Sequence, residues 1–95
     1  MAVKKKDFAL RDQMRRSSIS IPSNIAEAFE RSRRKEYIHF LGVAKASAGE
    51  LRSQLYPSWD LGSLDGKGFK KMHEQVDHIS RMLFKHMEYL KGLEA

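Results

Sequence analysis

The chain has 95 residues, no cysteine, and a composition of 41% hydrophobic and 32% charged residues, the profile of a single small folded domain and not of a disordered tail. Disulfides, zinc-finger sites and thiol chemistry are excluded, and no apolar run approaches a membrane span or a signal-peptide core, so a cytoplasmic protein without a membrane partner is expected. Residues 1–48 hold eleven Lys and Arg against five Asp and Glu, and residues 49–95 hold seven of each, so the whole +6 excess sits in the first half, a footprint suited to a polyanion.

One helical domain is expected over 1–95, with 1–7 as a disordered basic N-terminus. From Phe8 to Phe29 the apolar or small positions Leu10, Met14, Ser17/Ser18, Ile21, Ile25 and Ala28/Phe29 recur at steps of three or four. The phase is the same on both sides of Pro22, which predicts one helix bent at the proline, with nearby serines supplying hydroxyls to loosened carbonyls. The alternative starts a new helix with Ser20 as its N-cap. Ile19 and Ala26, seven apart, lie nearly opposite the stripe, and a helix with two apolar faces has two neighbours; both are candidate interface residues.

"ERSRRKEY" (30–37) is a basic break, with Ser32 placed to start the next helix. Tyr37, Phe40/Leu41, Ala44, Ser47/Ala48, Leu51 and Leu55 form its stripe, and Gly42, Ala44, Ala46, Ser47, Ala48 and Gly49 make its middle small-sided, so that neighbouring helices can approach closely. "YPSWDLGSLDG" concentrates turn residues. Trp59 within it is either a plug over the bundle end or an interface anchor.

The last segment is the most regular: Phe69, Met72, Val76, Ile79, Leu83, His86, Leu90 and Leu93 alternate steps of three and four, a heptad seam. Met82, Phe84 and Met87 widen its apolar face, and Phe84 joins the candidate interface. His86 in a seam slot reads as a packed residue with a wet polar edge.

Converging chemistry is scarce. The four histidines form no HExxH pair, "GSLDGKG" lacks the ending and preceding strand of a phosphate loop, and no serine has a nucleophile-elbow context. No catalytic residue, metal site or cofactor is implied. Basic residues are the stronger signal: Arg11, Arg15 and Arg16 in the first helix, and Arg31, Arg33, Arg34 and Lys35 after it. Phe29, Tyr37 and Phe40 fall on or near core stripes, so backbone and shape recognition is expected over base stacking.

The run "LRDQMRRSSISIPSNIAEAFERSRRKEYIHFLGVAKASAGELRSQL" (10–55), with "DHISRMLFKHMEYL" near the end, resembles the bacterial four-helix-bundle proteins encoded in intervening sequences of large-subunit ribosomal RNA genes. The accessory variability protein of diversity-generating retroelements belongs to the same superfamily. The resemblance implies an all-α, up-and-down antiparallel bundle and a homo-oligomer, a ring-like pentamer in the relatives. It places Arg15 and Arg16 in the family's matching pair and Arg31 after the "NIAEAFE" run. Relatives carry another helix before "LRDQMRR", where this chain has only "MAVKKKDFA", so about three main helices are expected, the first being shortened or absent. Ala28 stands where the family often has glycine, which lets its helix run further. The function expected is non-enzymatic binding of RNA or another nucleic acid through the basic surface. The alternative is a protein-interaction module docking an acidic partner such as a reverse transcriptase.

Overall fold

A computed structural model of the chain describes residues 5–93, with side chains described from Phe8 onward. Three helices follow one another, α1 (Lys5–Phe29), α2 (Arg34–Asp60) and α3 (Gly66–Gly92), and no strand occurs among the described residues. The backbone of 5–7 belongs to α1. Residues 1–4, the rest of the stretch expected to be disordered, lie outside the described residues.

α1 passes through Pro22 without interruption, as the continuous apolar phase predicts; a second helix capped by Ser20 is not formed. Pro22 has no N–H, so the Ser18 carbonyl loses its usual partner. Side chains bond carbonyls on either side of that gap: Ser18 Oγ donates to the Arg15 carbonyl at 2.8 Å and Asn24 Nδ2 to the Ser20 carbonyl at 2.8 Å. The serines around the proline are thus joined by an asparagine, which also reaches Ser20 Oγ at 2.9 Å.

α2 is the central helix and runs antiparallel to both neighbours. Its small residues Ala44, Ser47 and Ala48 are buried, which permits close packing. Leu41 and Leu55 are its largest enclosed side chains. One cluster joins Ile21, Ala48, Leu51 and Val76, and a second joins Ala28, Leu41, Ala44 and Leu83. Ser20 and Ser47 share a 2.7 Å hydroxyl bond across α1 and α2. Arg52 engages Asp77 at 3.0 Å and clips α2 to α3, while Arg81 holds the same carboxylate from within α3 at 3.3 Å.

α1 and α3 flank α2 without closing on each other: no Cα of one lies within 8 Å of a Cα of the other. The result is a long, thin layer with Cα extents of 55 × 21 × 13 Å and a radius of gyration of 15.6 Å, against about 12 Å for a compact domain of this length. In α3 the burial follows this asymmetry. Val76, Ser80 and Leu83, facing α2, are buried, whereas the seam residues His86 and Leu93 are exposed.

Candidate nucleic-acid interface

The seven basic candidates do not converge on one surface. Arg11 and Arg15 lie on the side of α1 that faces the open groove toward α3, by the 100° advance per helical residue. Arg16 lies around the helix from Arg11 and Arg15, pairs with Asp12 at 3.0 Å and lines a cleft between α1 and α2 with Ser17, Ser20 and Ser47. Arg31, Arg33, Arg34 and Lys35 occupy the α1–α2 turn and the first turn of α2, about 22 Å farther along the bundle by helical rise.

That second cluster has an unusual local chemistry. Arg33 is the N-cap of α2, in extended conformation (φ −93°, ψ 130°), and its side chain makes no capping hydrogen bond. Ser32 does not cap the helix, because Arg33 occupies the boundary instead. The first N–H groups of a helix and its dipole favour an acceptor or an acid here. This chain places Arg33, Arg34 and Lys35 there, with Glu36 the acid of the first turn, and Arg33, Lys35, Glu36 and His39 line a shallow recess of about 380 Å³. Among the described residues Arg33, Arg34 and Lys35 form no ion pair. Arg31 is engaged, by Glu27 one turn back and by the face of Phe40, whose ring centre is 4.8 Å from the guanidinium.

Aromatic rings border these cations. Phe29, the last residue of α1, is 67% exposed and meets Tyr37 edge-on at 5.5 Å; Tyr37 meets His86 at 5.9 Å; His86 stacks with Tyr89 at 6.4 Å. Tyr89 is 63% exposed, and the Tyr37 hydroxyl lies 3.4 Å from His86 Nε2. The four rings come from all three helices, which the antiparallel arrangement brings to one end. The sequence expectation that Phe29 belongs to the core is corrected: Ala28 fills that slot, fully buried, and the phenylalanine beside it turns outward. Tyr37 and Phe40 are half-buried.

The other interface candidates are spread widely. Ile19 and Ala26 are exposed on the outer side of α1. Trp59 is half exposed and stacks on Phe69 at 4.4 Å, covering the α2–α3 turn with one face. Phe84 lies on the far side of α3 with Lys45 Nζ 5.9 Å from its ring centre. Among the described residues no group of three or more His, Asp or Glu is placed to hold a metal ion, and no helix is long and apolar enough to cross a membrane.

The architecture defines a small all-helical bundle protein, with ring clusters at both ends and an uncapped, cationic helix start at the α1–α2 end. The chain belongs to the 23S rRNA-intervening sequence protein family, which it matches over residues 2–85. It is also similar to the crystal structure of a protein with unknown function from the S23 ribosomal protein family of Bacteroides thetaiotaomicron, with a TM-score of 0.83, 24% identity, and coverage of 88% of this chain and 78% of that one. At that identity the likeness speaks for the fold alone. No curated protein matches the chain.

Proposed function

We propose that this protein is a non-enzymatic RNA-binding protein that takes single-stranded or looped RNA at the α1–α2 end. The observation that carries the proposal is the exposed row Phe29, Tyr37, His86 and Tyr89 beside an uncapped helix start holding Arg33, Arg34 and Lys35. Cations in the first turn of a helix oppose its dipole, and a local rule broken without a compensating contact is the mark of a binding surface. Phosphates satisfy both the cations and the open N–H groups. Unstacked bases find ring faces at Phe29 and Tyr89, a mode open to loops and single strands and closed to the buried bases of a duplex. Homo-oligomerisation would repeat this end and multiply its attraction for a polyanion. Membership of a family named for an rRNA intervening sequence makes RNA the first polyanion to test.

A titration of labelled oligouridine over a salt series tests the reading. Three phosphate contacts predict a slope of log affinity against log salt of about −2. Changing Arg31, Arg33 and Arg34 together to alanine should cost at least tenfold in affinity and flatten the slope. Unchanged binding by that variant rejects the site, and absence of RNA affinity at low salt gives this end to an acidic protein partner instead.

A further inference from the structure

We infer that the groove between α1 and α3 is a docking site for an amphipathic helix of another protein whose apolar stripe is flanked by acidic residues. The inference concerns a different surface from the RNA end and stands independently of it. Ile21 and Ile25 of α1, Leu51 of α2, and Met72, Val76 and Ile79 of α3 line a groove of about 400 Å³ with little polar surface. Packed helices lie with axes 8–10 Å apart; α1 and α3 are not in such contact. Ile21, Leu51 and Val76 close the floor of the groove as one buried cluster, and its rims, Ile25 on one side and Met72, Gln75 and Ile79 on the other, are what a partner would meet. α3 extends it with the uncharged residues Gln75, Ile79 and Met82, at steps of four and three, which stop short of the His86 and Tyr89 rings of the RNA end. Met82, at its outer edge, is 56% exposed.

Charge identifies the occupant. By helical position the edges carry Arg11 and Arg15 on α1 and Lys71 and Lys85 on α3. Among the described residues the acids of these helices are turned elsewhere: Asp12 pairs with Arg16, Glu27 with Arg31, Asp77 with Arg52 and Arg81, and Glu88 with Lys91. Glu74, close to Lys85 in angular position, is the one acid at the α3 edge. A second copy of the chain would set basic edges against basic edges. A helix with acids beside its apolar stripe meets both requirements: its hydrophobic face supplies affinity, and its carboxylates select and orient it, since exposed ion pairs contribute little each.

The test uses the full chain and two fluorescein-labelled 21-residue helical peptides. Both carry leucine at heptad positions a and d; one has glutamate and the other lysine at e and g. Anisotropy titration should show binding of the glutamate peptide, at least tenfold weaker binding of the lysine peptide, and a gap that narrows as salt rises. Gln75→Glu and Met82→Asp, both at exposed positions, should each weaken the glutamate peptide tenfold or more with the circular-dichroism melt unchanged. Failure of the glutamate peptide to bind, or equal affinity for both peptides, overturns the proposal. So does a free protein that sediments as a dimer dissociated by Met82→Asp, which gives the groove to a second copy. Displacement of the bound glutamate peptide by oligouridine overturns it in favour of RNA.

Discussion

The two turns of the bundle are constructed differently. Between α2 and α3, helix α2 ends through Gly62 in left-handed conformation (φ +79°), whose N–H bonds the Trp59 carbonyl at 3.0 Å. Asp65 then caps α3 by accepting a 2.6 Å bond from the Gly68 N–H. A side chain at Gly68 would meet Leu64 at 2.9 Å and Asp65 Oδ1 at 3.0 Å, so glycine is what lets the cap close. Trp59 stacks over Phe69 and covers the turn. Between α1 and α2 no side chain caps the helix, cations occupy the first turn, and Phe29 faces outward. The α2–α3 turn satisfies its own polar groups, although Tyr56 and Trp59 beside it stay about half exposed. The α1–α2 turn lacks a side-chain cap and carries cations in its place, so the two turns differ in caps and charge and not in the exposure of rings.

The core should be indifferent to that difference. Leu41 lies toward the cationic end and Leu55 toward the capped end, and both are enclosed. Leu41→Ala and Leu55→Ala should each lower the unfolding free energy by about 3 kcal/mol in urea titrations. If one cost less than half as much as the other, one end would be loosely packed, and the contrast would rest on packing instead of on caps and charge.

Phe29→Ala probes the ligand-facing side. Its ring is mostly solvent-exposed, so the melting temperature should hardly move, while RNA affinity should fall by about 2 kcal/mol, the scale of one lost base–aromatic stack. A large stability loss with unchanged RNA binding would return Phe29 to a structural role. Asp65→Ala should do the reverse, costing about 1 kcal/mol of stability through the lost cap and leaving RNA affinity intact. Arg33→Asp is the smallest and most pointed change. It introduces the missing cap acceptor and favours the α2 dipole, so it should stabilise the fold by about 0.5–1 kcal/mol while weakening RNA binding. A variant that gained neither stability nor lost affinity would show that the helix start is not held open for a ligand.

Much of this fold is legible in the sequence, because three helices packed side by side express themselves as periodicity. The phase that continues from Leu10 to Ala28 predicts one helix through Pro22, and the three-four spacing of α3 predicts its length. The chain turns within "YPSWDLGSLDG", as its residues predict, between Asp60 and Gly66; α2 first continues through Pro57, since a proline near the helix end gives up one hydrogen bond and its neighbours Leu55 and Ser58 are buried. The site is less legible. The sequence places Arg11 and Arg15 on one flank of their helix, Arg16 around the corner and the other four after its end, and α1 keeps that offset; what it does not give is the separation, since the second cluster lies a helix half-length away from the first. The aromatic row is hidden more deeply, because its members come from α1, α2 and α3 and share no spacing. One signal was present: Ala28 and Phe29 compete for a single stripe position, and where the chain is about to turn the smaller residue fits beneath the next helix.

The contrast between the two turns is tested most directly by photo-crosslinking. A 4-thiouridine oligonucleotide bound at low salt and irradiated should crosslink within residues 29–37 and 86–89, as read by mass spectrometry of the digested complex, and the crosslinks should vanish at high salt. Crosslinks confined to Trp59–Phe69 or to the stretch from Arg11 to Arg16 would contradict the assignment of RNA to the uncapped, cationic end.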